Sequence, residues 1–214
     1  LSLEKTRKGI FKEQSLKHLL PLLLISNKAR VLDIGGEVGS TYYLANSIKP
    51  SQIVKYAVLE TEQFTQKAKI KSSKKLNFFE NLNAALDWLG GCNVVIIGST
   101  LQYLENYHHV IGMIVKSKPQ YILVSKTPLI EDRIGFFAYQ TSLLSNNGPM
   151  KGLLTVKRDM KLTNRVFIEE KNKFENLWEG YSIMLKIESS EKFYLDEVNP
   201  VNTFTYLFKR TENQ

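Results

Sequence analysis

The clearest chemical signal in the chain lies in Val31-Leu32-Asp33-Ile34-Gly35-Gly36-Glu37-Val38-Gly39-Ser40. An apolar run meets glycines and then a helix, so backbone bare of side chains lets a ligand approach the amides at the helix amino terminus. Glu60 closes the next apolar run, 21 residues beyond Gly39. In a nucleotide site an acid at that place accepts hydrogen bonds from ribose hydroxyls. Strand, glycine turn, helix, strand and terminal acid in that order predict a nucleotide-type cofactor; the competing reading is a turn needed only for packing. The spacing of Gly35, Gly36 and Gly39 lacks the first half of Gly-x-Gly-x-x-Gly, which turns the reading away from nicotinamide and flavin.

Few other residues form a reactive set. His108 and His109 are candidate bases, but adjacent residues on a helix point about 100° apart, so at most one faces a site, and a solvated or core role is the simpler expectation. His18 lies on an amino-terminal helix that could cover a ligand, and a surface role is the simpler expectation. Tyr103 could orient an acceptor or pack at the sheet edge. Gly98-Ser99-Thr100 lacks the second glycine of a nucleophile elbow, and three histidines with one cysteine give no recognisable metal ligand set. Cys92 reads as a core thiol. Lys67, Lys69, Lys71, Lys74 and Lys75 read as a solvated face without interleaved aromatics, whereas Lys157, Arg158, Lys161 and Arg165 could meet an anionic acceptor.

These residues need a scaffold, and hydrophobic periodicity supplies one. Leu16, Leu19, Leu20, Leu23 and Leu24 predict a helix over 15–26. Short strands follow over 30–34, 54–59, 76–79, 93–97 and 121–124, with helices over 41–47, 63–71, 82–89 and 105–117 between them. Such alternation predicts a parallel sheet covered by helices on both faces. A helix over 174–179 and strands over 183–188 and 204–208 predict a terminal antiparallel hairpin. Between them, the segment 129–167, with Asn146-Asn147-Gly148-Pro149 at its centre, reads as an insertion or lid over the carboxyl edge of the sheet.

The chain has 214 residues and a formal charge of +8, with 43% hydrophobic and 23% charged residues. That excludes disordered, collagen-like and coiled-coil classes and fits one domain, 1–214, whose first 27 residues form a helical cover. A single cysteine fits a reducing compartment, and the charged amino-terminal stretch has no cleavage signal, so a cytoplasmic location is expected. No apolar run reaches the ~20 residues of a membrane span. The positive charge invites nucleic acid, but it comes from 23 Lys against 6 Arg, alongside 15 Asn, which is not an arginine-based phosphate clamp.

Val-Leu-Asp-Ile-Gly-Gly at 31–36 resembles the glycine motif of the class I S-adenosylmethionine-dependent methyltransferases, in which an acid follows the apolar strand and the glycine turn comes next. The order of elements from about Lys28 to Arg210 is similar to their plan, so the resemblance implies a Rossmann-like α/β fold with seven strands, mostly parallel, and a carboxyl-terminal antiparallel hairpin. A narrower resemblance rests on Asp33 to Tyr42, on Ser99-Thr100-Leu101-Gln102-Tyr103-Leu104 and on Lys126-Thr127-Pro128. These look like the segments of a little-characterised family of bacterial candidate methyltransferases, and Gln140 is similar to a glutamine in that family's insertion.

The resemblance implies roles residue by residue. Gly35, Gly36 and Gly39 would let the methionine portion of S-adenosylmethionine lie over the turn. Asp33 would organise the turn, Tyr42 would join it by the motif match, and Glu60 would hold the ribose. Glu80 and Asn81 would meet the adenine, and Ser99, Gln102 and Tyr103 would line the floor beside the sulfonium. The expected reaction is O-methylation of a small molecule or saccharide, with Gln102, Tyr103 and His108 as catalytic candidates. Two alternatives stand beside it. One is a degenerate, non-catalytic binding protein of the same fold, because Glu37 stands where most methyltransferases have glycine. The other is a nucleic-acid methyltransferase, which the Ser-Thr-Leu-Gln after the fourth strand argues against.

Overall fold

The computed structural model describes residues 16–131, 133–143, 161–194 and 200–211. Elements run α1 (Leu20–Leu24), β1 (Ala29–Ile34), α2 (Ser40–Ile48), β2 (Ile53–Leu59), α3 (Glu62–Ala68), β3 (Leu76–Phe79), α4 (Leu82–Leu89), β4 (Val94–Gly98), α5 (Tyr107–Lys116), β5 (Tyr121–Ile130), β6 (Phe136–Leu143), β7 (Lys161–Glu170), α6 (Lys171–Asn176), β8 (Tyr181–Tyr194) and β9 (Pro200–Arg210). Short 3₁₀ turns occupy Lys69–Lys71 and Leu101–Tyr103.

Strands β1 to β5 are parallel neighbours in the order β3-β2-β1-β4-β5. The antiparallel β9 lies beside β5, and β8 pairs with β9, giving the mostly parallel sheet with a carboxyl-terminal antiparallel hairpin. Side chains alternate across this sheet as a pleat requires. Leu32, Val95, Ile97, Ile122 and Val124 face α4, α5 and α6, where Ala85, Leu89, Ile111, Ile114, Phe174 and Trp178 cover them. Val31, Val94, Ile96 and Leu123 face the other layer, built from Leu19, Leu22, Tyr42, Leu44 and Ala68. Val94 to Ile97 have no exposed surface, and each such aliphatic side chain contributes roughly 1.5–3 kcal/mol by burial. Asn81 and Gly90 bound α4: the Asn81 Oδ1 accepts from the Ala84 amide at 3.1 Å, and Gly90 takes the left-handed conformation at φ 65° that ends the helix.

Three departures from the periodicity bear on function. Within the segment expected as one helix, Leu16 and Lys17 are helical, His18 and Leu19 form a turn, and a helix resumes over Leu20–Leu24 with Pro21 in its first turn. Proline suits that position because its missing N–H is not needed there, and it sets the helix start after His18. Strand β5 continues past Val124 to Ile130 through a bulge at Ser125 and Lys126; Pro128 is tolerated next to that irregularity. The segment read as an insertion holds the antiparallel pair β6–β7, in register from Phe136↔Ile168 to Leu143↔Lys161. Its centre at Asn146 to Pro149, with Lys157 and Arg158, lies outside the described residues. β5 carries β9 along one edge, and β4 pairs with the first half of its other edge while β7 takes Leu129 and Ile130. The β6–β7 hairpin therefore stands beyond the carboxyl end of β4.

Candidate functional site

The strand order reverses between β1 and β4, because the chain steps outward from β1 to β3 and then returns to the far side of β1. In open α/β sheets the crevice outside the carboxyl ends at such a switch is where ligands bind. The glycine turn, Glu60, Gly98 to Tyr103 and Ser125 all stand at this edge.

The turn is built on Asp33. Its carboxyl group is buried beneath Gly36, where a Cβ would come within 2.5 Å of Oδ2, and Tyr56 donates to Oδ2 at 2.6 Å. Burial, opposed by the Tyr56 hydrogen bond and reinforced by Glu60 and Glu37, pushes the Asp33 carboxyl up to about 7. Gly35 and Gly39 hold φ of 75° and 78°, conformations that glycine adopts without a steric penalty. Gly35 also yields space to Thr100, whose Oγ1 would lie 1.9 Å from a Cβ there. Across the turn, Glu60 accepts from the Glu37 amide at 3.0 Å through Oε1 and from the Thr61 amide at 3.0 Å through Oε2. The acid at the end of β2 is thereby fixed to the loop after β1.

The other side of the crevice is made by the end of β4 and the middle of β5. Ser99 is exposed at φ 53°, donates its amide to the Ser125 carbonyl at 2.9 Å, and accepts from Gln102 Nε2 at 3.2 Å. The Gln102 Oε1 and Thr127 Oγ1 atoms are buried with no hydrogen-bond partner among the described residues. Tyr103 donates to Gln140 Oε1 on β6 at 2.6 Å, joining the hairpin to the turn after β4. Four non-glycine residues among those described have positive φ, and three of them lie along this edge: Glu37 and Ser99 follow the carboxyl ends of β1 and β4, and Lys126 sits in the bulge within β5. Such conformations cost about 1–3 kcal/mol each and concentrate at functional sites.

Other expected site residues are placed differently. Tyr42 is buried, its ring edge-on to Tyr43 and to Tyr56, so it packs behind the Asp33 floor. Glu80 is exposed, 3.9 Å from Lys69 Nζ, and the Asn81 Oδ1 is spent on capping α4. His109 is exposed, while His108 Nε2 lies 3.0 Å from Oε2 of Glu169 on β7. The surface reading of His18 is corrected: its imidazole is largely buried, with Nε2 2.9 Å from Ser125 Oγ and Nδ1 3.5 Å from Thr41 Oγ1. It rests on Gly98, where a Cβ would fall 2.8 Å from Cε1. Burial first, then the ammonium groups of Lys126 and Lys17, lowers its pKa to about 4. The sequence reading favours a surface role for His18 and misses Ser125. A lone polar residue before a leucine-rich helix carries no signal of burial, and Ser125 adjoins a recognised motif without belonging to it.

No protein-family model matches the sequence, and no curated protein matches it. Solved structures do match. A candidate S-adenosylmethionine-dependent methyltransferase from Listeria monocytogenes is 15% identical with a TM-score of 0.59, over 94% of this chain and 100% of that one. The CcbJ methyltransferase from Streptomyces caelestis is 12% identical with a TM-score of 0.59, over 94% and 91%. Magnesium protoporphyrin IX methyltransferase from Synechocystis PCC 6803, solved with its methyl donor bound, is 15% identical with a TM-score of 0.54, over 92% and 79%. At these identities the likeness shows the fold: the chain has the Rossmann-like methyltransferase fold.

Proposed function

We propose that this chain is an S-adenosylmethionine-dependent methyltransferase acting on an oxygen of a small hydroxylated acceptor, with a saccharide as the favoured class. The observation that carries the reading is the Glu60 carboxylate held against the turn by the Glu37 amide. Each Glu60 oxygen accepts one backbone N–H, and a carboxylate offers about four acceptor sites, so two ribose hydroxyls fit the remaining lone pairs. The likeness to methyltransferases solved with S-adenosylmethionine or S-adenosylhomocysteine bound supports the same cofactor.

S-adenosylmethionine supplies a methyl carbon already activated by its sulfonium. The work left to the protein is to place the acceptor oxygen in line, and positioning of this kind lowers a barrier by several kcal/mol. Gln102, Thr127 and Tyr103 provide neutral hydrogen-bonding groups beyond β4 and along β5, a set that matches hydroxyls rather than a charged headgroup. Hydroxyls bonded to Gln102 and Thr127 would also satisfy two buried atoms that otherwise stand unpaired. The β6–β7 hairpin beyond β4 serves as the lid that excludes water. Glu37, at φ 52° in the turn, favours the second reading, a degenerate protein of this fold that binds without turnover.

Calorimetric titration with S-adenosylmethionine and S-adenosylhomocysteine, with NAD as competing cofactor, tests the proposal. Micromolar binding that is lost in Asp33→Ala and Glu60→Ala is the expected result. A folded protein that binds neither compound overturns the proposal in favour of the degenerate reading.

A further inference from the structure

We propose that the outward face of the β6–β7 hairpin binds single-stranded nucleic acid, a function that goes beyond the methyltransferase reading and does not rest on it. The register of the pair assigns each side chain to a face. One face carries Gln140, which is bonded to Tyr103 and so turned toward the end of β4. The opposite face carries Phe137, Tyr139 and Thr141 of β6, set beside Arg165, Thr163 and Lys161 of β7. Side-chain contacts agree with this division: the Arg165 guanidinium lies 3.7 Å from the centre of the Phe137 ring, and Thr141 Oγ1 is 3.2 Å from Thr163 Oγ1.

Phe137 is 52% exposed and Tyr139 73%. Apolar side chains scattered singly on a surface mean little, but two aromatic rings on alternate residues of one strand, about 7 Å apart, form a patch. Its chemistry is that of a stacking surface. Each ring offers a π-face to a base, and the Arg165 guanidinium, directly opposite Tyr139, extends the platform with a plane of its own. Lys161, at the distal end of the hairpin, adds a second cation for the phosphates. None of the six residues on this face is acidic. Glu169, farther along β7, is buried and bonded to Tyr107, so its charge is withdrawn from the surface. The formal charge of +8 on the chain favours the approach of a polyanion. An acidic polysaccharide would meet the same cations, but it has no planar ring to lie on the Arg165 guanidinium, which favours a nucleic acid. A duplex keeps its base faces stacked within itself, so the platform selects single strands.

The test is fluorescence anisotropy of a labelled twelve-nucleotide single-stranded RNA, titrated with the full chain at low salt, beside the matching duplex and an acidic polysaccharide. Micromolar binding of the single strand is expected, with the duplex held about tenfold more weakly. Tyr139→Ala removes no charge and little buried surface, and it should weaken the single strand about tenfold, the size of one base–ring stack. Tyr139→Phe, which keeps the ring, should bind as the parent does. Arg165→Gln should weaken binding and lower the slope of log affinity against log salt by about 0.7, as the loss of one phosphate contact requires. A chain that does not bind the single strand, that binds the duplex equally well, or that binds unchanged in Tyr139→Ala overturns the proposal. Binding of the polysaccharide that Tyr139→Ala abolishes, with none of the RNA, assigns the face to a saccharide and overturns it as well.

Discussion

The Tyr56 hydroxyl on β2 reaches Asp33 Oδ2 on β1 at 2.6 Å, a hydrogen bond between adjacent parallel strands directly under the glycine turn. Both groups are buried, and Glu60 and Glu37 stand close enough to disfavour a further negative charge there. The Asp33 carboxyl therefore keeps its proton in the folded state at pH values where the unfolded chain has lost it. A raised folded-state pKa contributes stability that is complete below the unfolded value, near 3.8, and declines as pH rises toward about 7. Relative to Asp33→Asn, which cannot ionise, the parent protein should lose on the order of 4 kcal/mol between those limits. Urea midpoints of the two proteins at pH 5 and pH 8 check this; a constant difference between them would show that Asp33 is ionised throughout.

Glu169 poses the opposite case. Its carboxylate is 2% exposed, accepts from the Tyr107 hydroxyl and the Glu170 amide, and lies 3.0 Å from His108 Nε2 and 3.6 Å from Lys173 Nζ. Burial opposes the charge, but the bonds from Tyr107 and His108 outweigh it and hold the Glu169 pKa below the usual carboxylate range. A depressed pKa gives stability that is present above the unfolded value and is lost as pH falls through the folded one. Glu169→Ala should destabilise the protein by about 1–3 kcal/mol near neutrality through the Tyr107 hydroxyl left without its partner. That cost should shrink below pH 4, which denaturant midpoints over the acid range would reveal.

The parts of this protein that were legible in the sequence are those whose signal is local. Asn-Val-Val-Ile-Ile at 93–97 is apolar enough to specify a strand buried on both faces, and Glu60 follows its strand at the place the turn requires. The parallel arrangement of the first five strands and the terminal hairpin follow from such runs. What could not be read depends on contacts between distant residues. His18 meets Ser125 107 positions away, and only the packing of the amino-terminal segment over β4 and β5 makes it partly buried. The extension of β5 was hidden by Ser125-Lys126-Thr127-Pro128, which looks like a stop because a bulge and a proline both fall within it. The β6–β7 pair has mixed polarity because its outer part is exposed, with Tyr139 at 73% and Phe137 at 52%, so alternation never separates two clean faces.

The hydrogen bond from Tyr103 to Gln140 joins that hairpin to the turn after β4. Tyr103 is 41% exposed, so water replaces the partner when the bond is removed, and the net loss for Tyr103→Phe should stay near 0.5–1.5 kcal/mol. The loss should not be shared evenly. Val166 and Ile168 keep the inner part of β7 buried, whereas β6 beyond Ala138 pairs with the exposed part of β7 and is tied to the turn after β4 through Gln140. Local opening of β6 then becomes easier while the sheet core is unaffected, as expected for a segment of low local stability. Amide hydrogen exchange should therefore speed up at Gln140 to Ser142 by about tenfold, with Ile96 and Leu123 unchanged. Equal acceleration in both regions would mean that the bond contributes to global stability and that the hairpin opens only with the whole fold.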